Sequence, residues 1–273
     1  MDIGDRIPGL EHSRTTPRYA MWHANELELR SFLLTTSTGM KAWFKSEEEA
    51  AEEEARRAFD PQASYGDEAY SLFMDRVAIF WEHYWYQLAA GVIKDGFTLY
   101  EIFLEESAHD LLRAHGSGLR YLSTEKTWLL NECHDFYDRY LGGFQIKRLE
   151  IENIQWIRHK LSHLRDSLRT VGGKAEFEER IEALGISGAP SQVEDGLGIP
   201  HYDYGRDLAF AKSLTLSPLE AWWILDKLRA HVEELTVILH RIQYGRRTTQ
   251  ALYDLSKGKP VKERDWKLLI APE

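Results

Sequence analysis

An all-α, up-and-down helical bundle is the fold this chain predicts, and three features of the sequence predict it. Apolar residues recur at intervals of three and four rather than two, which is the period of a helix and not of a strand. Helix punctuation is frequent: Ser46 with Glu49, and Ser217 with Pro218 and Glu220, read as starts, while Gly142 with Gly143 and Gly172 with Gly173 read as ends. Strand signals are scarce, confined to a brief strand pair in the irregular stretch after 172.

Taken in order, residues 1–69 form an N-terminal helical extension. Within it SEEEAAEEEARRAF, 46–59, opens on the Ser46 and Glu49 capping box and is almost wholly charged, so it reads as a solvated helix with an acidic surface block. From Asp67 to about Lys94 the chain is apolar nearly all round, the mark of a helix buried on several sides. Asp95 and Gly96 interrupt it, and FTLYEIFLEESAHDLLRAHG gives a second helix closed by its glycine, so a helical hairpin is expected. Ser123 precedes a further helix, TEKTWLLNECHDFYDRYLGG, and one continuous helix over 144–171 follows. The stretch of about 172–216 turns to Gly, Pro, Ser and Asp and reads as an irregular insertion, with the short charged helix KAEFEERIEALG at its start. SPLEAWWILDKLRAHVEELTVILHRIQYG supplies a final packing helix, which closes a helical domain over 70–245. The tail, 246–273, is basic, with Arg246, Arg247, Lys257, Lys259, Lys262 and Arg264 against Asp254, Glu263 and Asp265.

Bulk properties narrow the function classes. With 273 residues, 43% hydrophobic and 12% aromatic, the chain can bury a sizeable core. One cysteine, Cys133, excludes an intrachain disulfide framework and a cysteine-built metal site, and points to a reducing, cytoplasmic setting. The start MDIGDRIPGLEHSRTTPRYA has neither the apolar core of a signal peptide nor a basic amphipathic pattern, and no later apolar run reaches the roughly 18 residues of a membrane span. A formal net charge of −10 argues against adhesion to nucleic acid through an overall field, but leaves room for a local basic groove.

One stretch is locally basic. WIRHKLSHLRD, 156–166, lies on a helix where Ile154, Ile157, Leu161, Leu164 and Leu168 form an apolar stripe. Over 147–169, Lys147, Arg148, Arg158, Lys160, Arg165 and Arg169 oppose only Glu150, Glu152 and Asp166. Arg158 falls on the flank of the stripe, and His159 and His163, four apart, fall on the face opposite it. The residue types suit a phosphate-bearing ligand, since a guanidinium is a fixed fork for phosphate oxygens and an imidazole titrates near neutrality.

RHKLSH, 158–163, resembles the site motif of the HEPN ribonucleases: an arginine, often followed at once by Asn, Asp or His, then a histidine after four to six residues. The bare spacing recurs at Arg6 and His12, Arg18 and His23, and Arg76 and His83, but only Arg158 is followed by a polar residue of that kind. The order of elements from about 70 to 245, an apolar helical hairpin, the motif helix, a loop and a last packing helix, is similar to that of the family as well.

The resemblance implies a HEPN-type bundle that works as a two-fold homodimer, with the two motif helices side by side forming one composite site. The activity implied is metal-independent cleavage of RNA, without a cofactor, leaving a 2′,3′-cyclic phosphate and a 5′-hydroxyl end, in a toxin or an antiviral defence effector. In this reading Arg158 and His163 are catalytic and His159 assists them. Glu101, Lys160 and Ser162 are supporting residues. Histidine serves as general base or acid, and the guanidinium stabilises charge on the phosphorane. A protein antitoxin or other regulator is a further implied partner. Some family members carry a tyrosine two residues after the motif histidine, as a target of a nucleotidyltransferase antitoxin; here that position is Arg165. A non-catalytic HEPN-like module that binds RNA, a nucleotide or a protein is the alternative.

Other constellations read as structural. Glu106 and His109 make one Glu-x-x-His pair, but a di-iron bundle needs a second pair and two more carboxylates, and the chain has no second pair. Trp81, Tyr84, Trp85, Tyr86, Trp222 and Trp223 could stack on bases. On such apolar helices core packing is the expected role, as it is for His231 and His240.

Overall fold

A computed structural model of the chain describes residues 15–58, 65–77, 81–115, 121–141, 146–163, 171–185 and 216–244. These form seven helices and no strand: α1 (Pro17–Arg57), α2 (Tyr65–Val77), α3 (Trp81–His115), α4 (Leu130–Tyr140), α5 (Leu149–His163), α6 (Val171–Glu182) and α7 (Pro218–Tyr244). Among the described residues no helix is long and apolar enough to cross a membrane. The fold is all-α, and the chain divides into two compact units.

Unit 1 draws on Met1–Glu28, Asp95–Trp156 and Leu225–Glu273. It begins where Pro17 takes the first turn of α1 and the Thr16 hydroxyl accepts the Tyr19 N–H at 3.1 Å, which satisfies one orphan donor of the helix end. Arg18 then grips α3 through a two-pronged pair with Asp110, at 2.6 and 3.0 Å, and a third contact with Glu106 at 2.6 Å. Behind that clasp Trp22 packs on Phe103, and the buried Glu26 pairs with Arg229 of α7. α3 supplies Phe97, Tyr100, Phe103, Leu104, Ala108 and Leu111 at helical spacing, all buried. α4 lays Cys133, Phe136, Tyr137 and Tyr140 against them, and the Tyr137 hydroxyl donates to the Leu104 carbonyl at 2.7 Å. The start of α5 is tied to α7 by Arg148 with Glu234 and by Lys227 with Glu150 at 3.0 Å.

Unit 2 draws on Leu29–Lys94 and Ile157–Ile224. Its core holds Leu33 and Phe44 of α1, Val77 of α2, Trp85, Ala89, Val92 and Ile93 of α3, Ile157 and Leu161 of α5, Phe177 and Ile181 of α6, and Trp222 and Ile224 of α7. Arg30, only 1% exposed, stands over the Trp222 ring at 4.5 Å, where the ring face offsets the loss of water around the cation. Arg76 of α2 meets Glu47 and Glu54 of α1 at 3.3 and 2.6 Å, so part of the acidic block serves as a partner for α2.

Several boundaries differ from those the sequence predicts. Ser46 does not start a helix, because α1 runs unbroken from Pro17 to Arg57. Asp95 and Gly96 do not break one either: α3 continues through them for 35 residues, so the expected hairpin is replaced by a single long helix. α4 starts at Leu130, not just after Ser123. The Ser123 hydroxyl instead accepts the Glu125 N–H in a local turn, and the Trp128 N–H is taken by Glu105 of α3 at 2.7 Å. The motif helix starts at Leu149 rather than 144, and Gly172 and Gly173 lie inside α6 rather than ending α5. The expected strand pair and the basic tail lie outside the described residues. The start of α7 is as expected, with Ser217 and Glu220 exchanging hydrogen bonds at 2.6 and 3.2 Å across a capping box that has Pro218 at the first helical position.

Three substitutions rank these contributions. Phe97→Ala is expected to cost about 3–5 kcal/mol through the cavity it leaves. Ser217→Ala should cost about 1 kcal/mol through the lost cap, and Tyr137→Phe about 1 kcal/mol through the lost hydroxyl donor. The midpoint of urea unfolding at unchanged slope reads all three.

Candidate functional site

The motif lies at the C-terminal end of α5, in unit 2. Sequence dictates its sidedness. Ile151, Asn153, Ile154, Ile157 and Leu161 are buried, while Glu152, His159 and Ser162 are exposed and Arg158 and Lys160 are half-buried. The apolar stripe is thus buried over its described part, and His159, about 200° around the helix from Ile157, faces out. His163 is the last described residue of α5, and Leu164, Arg165, Leu168 and Arg169 lie outside the described residues. Arg158, His159 and Lys160 follow one another near this end of the helix, and Arg148, just before its start, pairs with Glu234.

Glu101 is a half-buried residue of α3 in unit 1, where its charge acts on Tyr100 and Cys133; Arg158, His159, Lys160 and Ser162 belong to unit 2.

The other arginine and histidine pairs are absorbed by structure where they are described. Arg18 is held by Asp110 and Glu106, and His23 stacks on Tyr19 with ring centroids 5.6 Å apart. Arg76 is held between Glu47 and Glu54. Arg6 and His12 lie outside the described residues. Glu106 is taken up by Arg18, and His109 lies edge-on to Trp128 at 4.7 Å with Glu105 3.9 Å away. Among the described residues no three His, Cys, Asp or Glu side chains gather as a metal site. Trp85 and Trp222 are buried core residues, Tyr84 packs edge-on to Phe44 and Trp43, and His231 is buried against Tyr100, whose hydroxyl lies 3.2 Å from its Nδ1.

Among the buried polar groups that sequence reasoning passed over are Arg30 and His134, each 1% exposed. A signal for the first was present: Arg30 falls in the same helical register as Tyr19, Trp22, Glu26 and Leu33, the buried face of α1. His134 follows Cys133 and precedes Phe136 and Tyr137 on the apolar face of α4.

Comparison with protein-family models, with curated proteins and with solved structures finds no match in any of the three. The resemblance to HEPN proteins therefore rests on the sequence motif at 158–163.

The sidedness of α5 makes a stability prediction. Ile157→Ala should cost about 2–5 kcal/mol, and His159→Ala within about 0.5 kcal/mol, because an exposed side chain leaves no cavity. Thermal unfolding of the two variants beside the wild type checks the contrast.

Proposed function

We propose that the chain is a metal-independent endoribonuclease of HEPN type, with Arg158 and His163 as its catalytic residues and His159 assisting. The observation that supports this reading is the sidedness of α5: the motif residue His159 faces outward from a helix whose opposite face is anchored in the core. Chemistry needs that arrangement. A residue that moves protons on a large substrate has to be reachable, and its helix has to hold still while it does so.

The reaction asks for three things. The 2′-hydroxyl loses a proton as its oxygen attacks the adjacent phosphorus, the 5′-oxygen gains a proton as it leaves, and the phosphorane oxygens carry extra charge between. Imidazoles supply the base and the acid, and the Arg158 guanidinium supplies fixed donors to the phosphorane. One motif holds one such set, so a two-fold dimer that joins two motifs gives the base and the acid separate histidines. Lys160 and Ser162 lie within the motif and would position the RNA backbone. The overall charge of −10 favours the other reading, a binding module without chemistry, and the two part on whether RNA is cut.

Incubation of the purified full-length chain with a mixed RNA pool in EDTA, followed by end mapping, decides between them. Cleavage with 2′,3′-cyclic phosphate ends is expected. Arg158→Ala and His163→Ala should each lower the rate by on the order of 100-fold or more. His159→Ala should lower it less, and His23→Ala not at all. Equal cleavage by wild type and His163→Ala would remove the assignment, and a stable complex with intact RNA would favour the binding module.

A further inference from the structure

We propose that α4 is an acid-sensitive latch in unit 1: it stays docked while His134 is neutral, and protonation of His134 releases it ahead of α3. The inference is independent of the ribonuclease reading and draws on residues that reading does not use.

The geometry carries it. His134 is 1% exposed, and neither Nδ1 nor Nε2 has a hydrogen-bond partner. A neutral imidazole tolerates such a place poorly, and an imidazolium, with two N–H donors and a full charge, tolerates it far worse. The groups around it offer no rescue. From α7 comes His231, with Glu234 beyond it engaged by Arg148. From the segment before α5 comes the Lys147 cation. Elsewhere in unit 1, Tyr100 and Glu105 of α3 are committed to His231 and to the Trp128 N–H, and the Tyr121 hydroxyl donates to the Glu132 carbonyl. On α4 itself stand Glu132, bonded to the Leu129 N–H, the Cys133 thiol and the exposed Asp135. Lys147 and His231 both oppose a proton on His134, and Asp135 favours one less strongly.

Burial, then Lys147 and His231, push His134 down to about 4. A released or unfolded His134 titrates near 6.5. The docked state is therefore at its full relative stability above about pH 6.5, and it loses stability as pH falls from there towards 4, because only the released state takes up the proton. The loss falls on α4 first. An 11-residue helix does not hold its own conformation in water, so its order depends on docking. His109 is a built-in comparison: burial lowers it too, but it lies on the long α3 with Glu105 3.9 Å away.

Hydrogen exchange of the full-length chain, corrected for intrinsic rates, tests the latch between pH 7.5 and 5. In the wild type, protection of the 130–140 amides should fall on the order of 10-fold relative to the 97–111 amides. His134→Leu and His134→Gln should remove that differential, and His109→Gln should keep it. A differential that persists in a folded His134 variant, or unchanged relative protection in the wild type, overturns the proposal. So does a His134 titration midpoint of 6 or above in the wild type, read from its ring proton resonances, which needs no variant to fold.

Discussion

Unit 1 depends on α3 remaining helical through Asp95 and Gly96. A glycine inside a helix costs about 1 kcal/mol relative to alanine, and an aspartate next to it adds a side chain that competes for backbone donors. Against this stand Val92, Ile93, Phe97 and Tyr100, the residues on either side, each no more than 1% exposed. Burying one large apolar side chain is worth roughly 1.5–3 kcal/mol, so the four together outweigh the local preference for a break. Were α3 to break there, Phe97, Tyr100 and Leu104 would lose the helical register that buries them in unit 1.

Charge is arranged by the same logic. The chain is acidic, yet many of its carboxylates are spent internally: Glu47 and Glu54 on Arg76, Asp110 and Glu106 on Arg18, Glu26 on Arg229, Glu234 on Arg148. Exposed pairs of this kind contribute at most about 1 kcal/mol each. Their main effect is orientation, since a guanidinium fork accepts a carboxylate in few geometries. The pair of Glu26 with Arg229 is different, because Glu26 is buried. Its attraction chiefly offsets the loss of water around the buried carboxylate.

Signals that agree with burial were legible in the sequence, and signals that oppose it were not. The start of α7 could be read at Ser217, Pro218 and Glu220 because cap, proline and apolar periodicity point the same way there. The stripe of Ile154, Ile157 and Leu161 on α5 could be read for the same reason, and with it the outward placing of His159. Ser46 and Gly96 misled because a local preference of about 1 kcal/mol was set against packing from distant residues. The start of α4 depends on Glu105, 23 positions before the Trp128 N–H it accepts, and no local pattern encodes that.

Cys133 gives the protein a practical property. The thiol is buried on α4, and burial, with Glu105 and Glu132 nearby, pushes it up to about 12, so the folded chain presents almost no thiolate at neutral pH. For reagents that attack thiolates, the native surface is in effect cysteine-free. A cysteine introduced at an exposed position, such as Ser162 within the motif, would be the one reactive handle on an otherwise unmodified chain. Fluorophores, spin labels or short crosslinkers could then report what approaches that end of α5, with the wild-type sequence as its own unreactive background.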